Sequence, residues 1–297
     1  MIKKRISLCL AAAIMLYGNT TAQEQYTSHS SMFLGTSSQD AVKVPFSSVG
    51  AGTPTPIKWG MDTAWDDEGN VLRGINFIGK DNLTYGRISF QVMDTLNADG
   101  TLSERQLKFL NSRIRHIKLS EPDGVMLNSD PVDINVEAYT HHPERWYKVI
   151  KATTKYIEEH GLDVVSIGPF NEPDITASNQ GSMADFKAVS KLICEDPIVA
   201  GNTCNNDGAK EWYDYMKPYV SEGNTHQLAG DFDHYADFYT HVKADGNIAT
   251  NDELHNVMEG IVGAQYGMEN GIRWGTVGPT RGDFCVATSP GGARLGY

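Results

Sequence analysis

The chain has 297 residues, 40% of them hydrophobic, and a formal net charge of −12. That length and composition fit one large domain with a core of normal size and exclude a low-complexity chain. The acidic balance excludes nucleic acid as a natural partner, because such a surface repels phosphate backbones; a neutral polymer is compatible with it.

The N-terminus reads as a secretory signal peptide over residues 1–22. Lys3, Lys4 and Arg5 form a positive region, Leu8 to Leu16 is apolar, and Thr20-Thr21-Ala22 offers small residues for cleavage. The apolar stretch is shorter than the roughly 20 residues a bilayer span needs, so no membrane span is predicted. Removing residues 1–22 takes away three basic residues and moves the net charge from −12 to −15. Cys194, Cys204 and Cys285 then remain, too widely spaced for a disulfide framework or a metal-ligand pattern.

Residues 23–56, rich in Ser, Thr and Gly and ending near Pro54 and Pro56, predict an irregular leader. Over 57–297, short apolar runs alternate with stretches of helical period. Ile57 to Asp62 is the first run, and Asp66-Asp67-Glu68-Gly69-Asn70 predicts a turn that opens a small hairpin. Arg87 to Val92 alternates apolar and polar residues as a half-buried strand does. Ser103 to Lys118 predicts a capped helix with Leu107, Leu110, Ile114 and Ile117 on one face. Gly124 to Asn128 is the third run, followed by a helix from Trp146 to Glu159. Val164 to Ile167 is the fourth, followed by a helix from Ala184 to Ile193. Pro197 to Gly201 precedes a helix from Glu211 to Val220 that Pro218 can end early. Thr225 to Phe232 contains the sixth run, ahead of a helix from His234 to Lys243. Ile248 to Glu253 is the seventh, ahead of a helix from Asn256 to Tyr266, and Gly271 to Gly275 is the eighth.

Eight strands alternating with helices predict a (β/α)8 TIM barrel. A doubly wound open sheet is the alternative, but no glycine-rich phosphate loop follows the first strand. Asp283 to Tyr297 shows no helical pattern, so the ring is expected to finish irregularly or to lack its last helix, as in a piece of a longer protein.

Working groups in such a barrel sit at the C-terminal ends of the strands. Two glutamates meet that test: Glu172, within Asn171-Glu172-Pro173 after the fourth run, and Glu253, at the end of the seventh. Paired carboxyl groups suit the glycosidic bond, where one protonates the leaving oxygen and the other attacks the anomeric carbon. No cofactor is required. No His-Glu-x-x-His, calcium-loop or Gly-x-Ser-x-Gly pattern occurs, so neither a metal centre nor a serine hydrolase is predicted.

Asn171-Glu172-Pro173 at the end of a fourth strand resembles the signature of the clan A retaining glycoside hydrolases, TIM barrels that include cellulases, xylanases, mannanases and β-galactosidases. The resemblance spans roughly residues 57–280. It implies Glu172 as acid/base and Glu253 as nucleophile. It further implies Asn171 as hydrogen-bond donor to the sugar 2-hydroxyl, Trp274 as aromatic floor for the sugar, and His226 as the residue that touches the nucleophile.

Other readings stand beside these. Asn-Glu-Pro also suits a plain strand-to-helix turn. Asp252, Glu259 and Glu269 compete with Glu253, although Glu259 lies within a helical stretch and reads as a solvated surface residue. Trp274 also reads as core, and His226 as a hydrogen-bonded structural histidine. His255 either orients Glu253 or begins the next helix. Asn128 and Asp130 end the third run, and Asp62 and Trp65 follow the first; all four are candidates for contact with substrate hydroxyls. Arg87 begins its strand on the rim away from the chemistry and reads as half of a structural ion pair. The function that follows is a secreted retaining hydrolase of a poly- or oligosaccharide. The rival is a non-catalytic carbohydrate-binding barrel.

Overall fold

A computed structural model describes residues 56–63, 68–130, 132–176, 179–193, 199–274, 285–288 and 294–296. The signal peptide, almost all of the leader, and Trp65 lie outside the described residues.

Eight strands are β1 Lys58–Asp62, β2 Tyr85–Phe90, β3 Gly124–Ser129, β4 Val164–Gly168, β5 Val199–Asn205, β6 Glu222–Ala229, β7 Ile248–Leu254 and β8 Asn270–Arg273. They form one sheet in the order β4-β3-β2-β1-β8-β7-β6-β5. Every pairing is parallel, and β1 pairs with both β2 and β8. Among the described residues the ladder is open only between β4 and β5. Past the end of β4 that gap is bridged by the Glu172 N–H, which donates to the carbonyl of Asn202 in β5 at 2.8 Å. The fold is a (β/α)8 TIM barrel.

The helices are α1 Glu68–Ile78, α2 Glu104–Leu119, α3 Val136–Tyr139, α4 Pro143–Glu159, α5 Pro173–Thr176, α6 Met183–Leu192, α7 Ala209–Met216, α8 Phe232–Ala244 and α9 Val257–Tyr266. Ser103 caps α2 in a reciprocal box with Gln106, and Leu110, Ile114 and Ile117 face the barrel. In α4 the buried stripe is Trp146, Val149, Ile150, Thr153 and Ile157, spaced as one helical face. Pro218 lies in a 3-10 turn that stops α7 at Met216, as its missing N–H requires.

One region differs from the sequence reading. Instead of a hairpin near Asp66–Asn70, the described chain runs as α1. Its Val71, Ile75 and Ile78 recur at helical spacing and bury with Met61 and Leu83 in a small core of their own. That apolar stripe outweighs the turn-like Glu68-Gly69-Asn70. After β8, the described residues near the C-terminus are two short antiparallel strands, β9 Cys285–Thr288 and β10 Arg294–Gly296.

Candidate active site

The loop after β4 carries Asn171 and Glu172. Glu172 has φ +50°, a left-handed conformation that non-glycine residues rarely adopt, and it precedes a proline, which restricts it further. Such geometry costs on the order of 1 kcal/mol and persists only where neighbours impose it. Here the Glu172 N–H is tied to Asn202. Gln180 also clamps Asn171 at both backbone groups: Oε1 accepts its N–H at 2.9 Å and Nε2 donates to its carbonyl.

Three donors converge on Asn171 Oδ1: Asn128 Nδ2 at 2.8 Å, Asn202 Nδ2 at 2.9 Å and Arg87 Nη2 at 3.2 Å. A guanidinium can only donate, so the oxygen end of the Asn171 amide faces inward. Arg87 is itself gripped by carboxylates. Its Nη1 lies 2.8 Å from Asp62, its Nε 2.8 Å from Asp252 and its Nη2 2.6 Å from Glu253. Burial opposes its charge, yet the three carboxylates hold it well above its ordinary value. The expected ion pair is therefore present, but its place differs. Arg87 is the third residue of β2, and its long side chain reaches the mouth of the barrel.

His226, on β6, is fully buried between acids. Its Nδ1 lies 3.0 Å from Glu172 Oε1 and 3.7 Å from Glu253 Oε2, and its Nε2 lies 2.9 Å from Asp252 Oδ1. Burial pulls the imidazole down, but Glu253, Asp252 and Glu172 together hold it well above its ordinary value. Burial likewise pushes Asp252 up, and Arg87 and His226 outweigh it, keeping that carboxyl well below the usual range. At Glu253 burial is the largest influence and raises the carboxyl. Arg87 and His226 pull it back, and Glu172 and Asp252 raise it again.

Carboxylate oxygens of Glu172 and Glu253 and a nitrogen of His226 all lie within 4.8 Å of one another. That spacing could hold a divalent cation. A histidine bonded through both nitrogens to carboxylates and held protonated is, however, a poor ligand, since metals take the neutral ring.

Glu172, Glu253, Asn171, Asp130 and Trp274 line one cleft of about 160 Å³, together with Arg87, Ser89, Ser129 and Val132. Asn128 and His226 sit one layer behind it, where they hold Asn171 and the two glutamates. The Asp130 carboxylate is engaged inside the wall: it accepts from Val132 N at 3.1 Å and Gln91 Nε2 at 3.3 Å, with Arg113 at 3.6 Å. The Trp274 ring lies 5.2 Å from that of His255, centroid to centroid. Glu259, read from sequence as a surface residue, is entirely buried. Gln180 and Asn202 were not legible as site residues, because nothing in their local pattern distinguishes them from ordinary loop and strand residues.

No family model matches the chain, and no curated protein matches it. Solved structures do. A GH30 endoxylanase from Clostridium papyrosolvens C71 superposes with TM-score 0.54 at 14% identity, over 73% of this chain and 65% of that one. A glycoside hydrolase family 30 subfamily 8 xylanase from Clostridium acetobutylicum gives 0.50 at 13%, over 73% and 63%. An endo-β-1,6-glucanase gives 0.58 at 11%, over 82% and 70%. The likeness is one of fold. What these structures share with this chain is the (β/α)8 barrel. The chain spans less than two thirds of the length of the two xylanases.

Proposed function

We propose that this protein is a retaining glycoside hydrolase in which Glu172 is the acid/base and Glu253 the nucleophile. The observation that carries the reading is the approach of the two carboxylates to within 4.8 Å over one cleft. Retaining enzymes hold this pair about 5–5.5 Å apart, whereas inverting enzymes leave about 6.5–9.5 Å for a water.

Glu253 attacks the anomeric carbon while Glu172 protonates the departing oxygen. Glu172 then takes a proton from the water that releases the sugar. The nucleophile must be ionised, and the upward push on Glu253 works against that. Arg87 at 2.6 Å favours its charge. Once Glu172 holds the proton of the pair, the repulsion from that side is gone. His226 Nδ1 is hydrogen-bonded to Glu172 Oε1 at 3.0 Å and stands 3.7 Å from Glu253 Oε2, close enough for its charge to act on the nucleophile. Asn171 lines the cleft beside Glu172 and is the residue that meets the sugar 2-hydroxyl in this reading, and Trp274 presents an apolar face to the ring. Residues 1–22 support export, which would bring the enzyme to polysaccharide outside the cytoplasm.

The test is turnover of an aryl-glycoside panel. Glu172→Gln and Glu253→Gln are each expected to lower kcat by two or more orders of magnitude with the thermal transition kept. Activity near wild type in Glu253→Gln would reject the assignment. A wild-type protein that binds glycans and cleaves none would favour the carbohydrate-binding rival.

A further inference from the structure

Neighbouring residues of a regular strand point to opposite faces of the sheet. Asp252 and Glu253 do not, since both reach the same guanidinium, at 2.8 Å and 2.6 Å. The β7–β8 ladder shows why. Asn251 pairs with Gly271 and Leu254 with Arg273, so three steps along β7 match two along β8. The extra residue is a bulge, and a bulge re-aims a side chain while leaving it unpaired in the ladder. Something other than the sheet must therefore fix residues 252–253.

Arg87, His226 and Asn224 hold the side chains, through Asp252 and Glu253; the hold on the backbone around them comes from Glu259, in the first turn of α9. Its Oε2 accepts from His255 N at 2.9 Å and from Asn251 Nδ2 at 3.4 Å, and Asn256 Nδ2 donates to its Oε1. Asn251 passes the constraint on: its Oδ1 accepts the Glu253 N–H at 2.8 Å, and its Nδ2 also donates to Tyr235 Oη at 2.9 Å. One carboxyl thus grips the chain two residues before and two residues after Glu253. A glutamate at this helix position commonly serves as a cap, and Asn256 Oδ1 does accept the Glu259 N–H at 3.1 Å. Capping alone requires neither burial to 0% exposure nor a reach back into β7. Burial pushes the Glu259 carboxyl up to about 8, against the pull of His255 N, Arg273, His226 and Asn251.

We propose that Glu259 is a positioning residue that holds the β7 bulge in the shape that presents Glu253 to Arg87 and the cleft. The structural claim stands by itself; only its kinetic consequence rests on the glycosidase reading. The experiment is crystallography and kinetics of the whole chain carrying Glu259→Ala or Glu259→Gln. In Glu259→Ala the Glu253 carboxylate is expected to move from Arg87 by about 1 Å or more while β8 stays in place. A displacement of that size lowers kcat on the order of 10²-fold, with KM little changed. Glu259→Gln, which keeps an acceptor oxygen, is expected to restore both position and most of the rate. Glu253 in its wild-type place in Glu259→Ala overturns the proposal, whatever the wild type cleaves. If the wild type cleaves no glycoside, the glycosidase reading fails and the crystal structures still decide this one. Should Glu259→Ala not fold, Asn251→Ala cuts the same link and is read by the same displacement.

Discussion

Glu172 was legible in the sequence because its position was over-determined: a strand end, an asparagine before it and a proline after it. Glu253 was legible by its place at the end of the seventh strand. Arg87 was legible as half of an ion pair but not in its place at the barrel mouth, and Glu259 was not legible as a buried residue, for a shared reason. Their roles depend on neighbours far along the chain or on a bulge, and neither leaves a local pattern. Glu259 was read as solvated because charged residues in helices usually are. Glu222 is a second buried acid that sequence does not reveal. It sits at the start of β6, away from the cleft, accepts from Thr250 Oγ1 and Asn270 Nδ2, and is pushed by burial to about 7. Its ordinary value is 4.5, so below that pH both folded and unfolded chains hold the proton. As pH rises from there towards 7 the unfolded chain ionises first, and the folded state loses up to roughly 3 kcal/mol. Thermal melts should therefore show stability falling between about pH 5 and about pH 8. Glu259, raised to about 8, contributes to the same fall, so Glu222→Gln should lessen it without abolishing it, and an equal slope in both proteins would exclude Glu222 as a source.

At the scale of elements, periodicity carried the reading. Strand and helix order emerged from apolar runs and helical stripes, with boundaries off by a few residues. The region after β1 was misread because Asp, Gly and Asn suggest a turn by composition, while the stripe of Val71, Ile75 and Ile78 emerges only beyond them. What no pattern disclosed was how closely the strands approach. A Cβ on Gly60 would press into the Tyr85 carbonyl and the Ile272 side chain, so β1 can pair with β2 and β8 together only without one. Gly60→Ala should therefore cost about 1–3 kcal/mol, the usual range for overpacking a tight site. A denaturation midpoint unchanged from wild type would show that β1 can yield there.

For the whole molecule, the barrel explains why residues 81 positions apart meet. β3, β2, β1 and β8 lie between β4 and β7 on one side, and β6, β5 and the β4–β5 gap on the other, and ring closure brings their ends over one mouth. The eight-strand rhythm foretold that ring. His226 and Asn128 were named from sequence as candidates for the site, but the layer they form with Arg87, Asn202 and Asn224 beneath the glutamates was not, because it draws on β2, β3, β5 and β6 at once. This layer does the electrostatic work, with each cation set between acids and each amide fixed by its neighbours. A fold shared with xylanases and a glucanase is compatible with many chemistries, so the account rests on the carboxylate pair. The most direct measurement is mass spectrometry of the protein after incubation with 2-deoxy-2-fluoroglycosides bearing good leaving groups, followed by peptide mapping. A nucleophilic Glu253 gives a single glycosyl adduct on that residue, accumulating as activity is lost. Efficient turnover of the parent glycosides with no adduct, or an adduct on another residue, would contradict it.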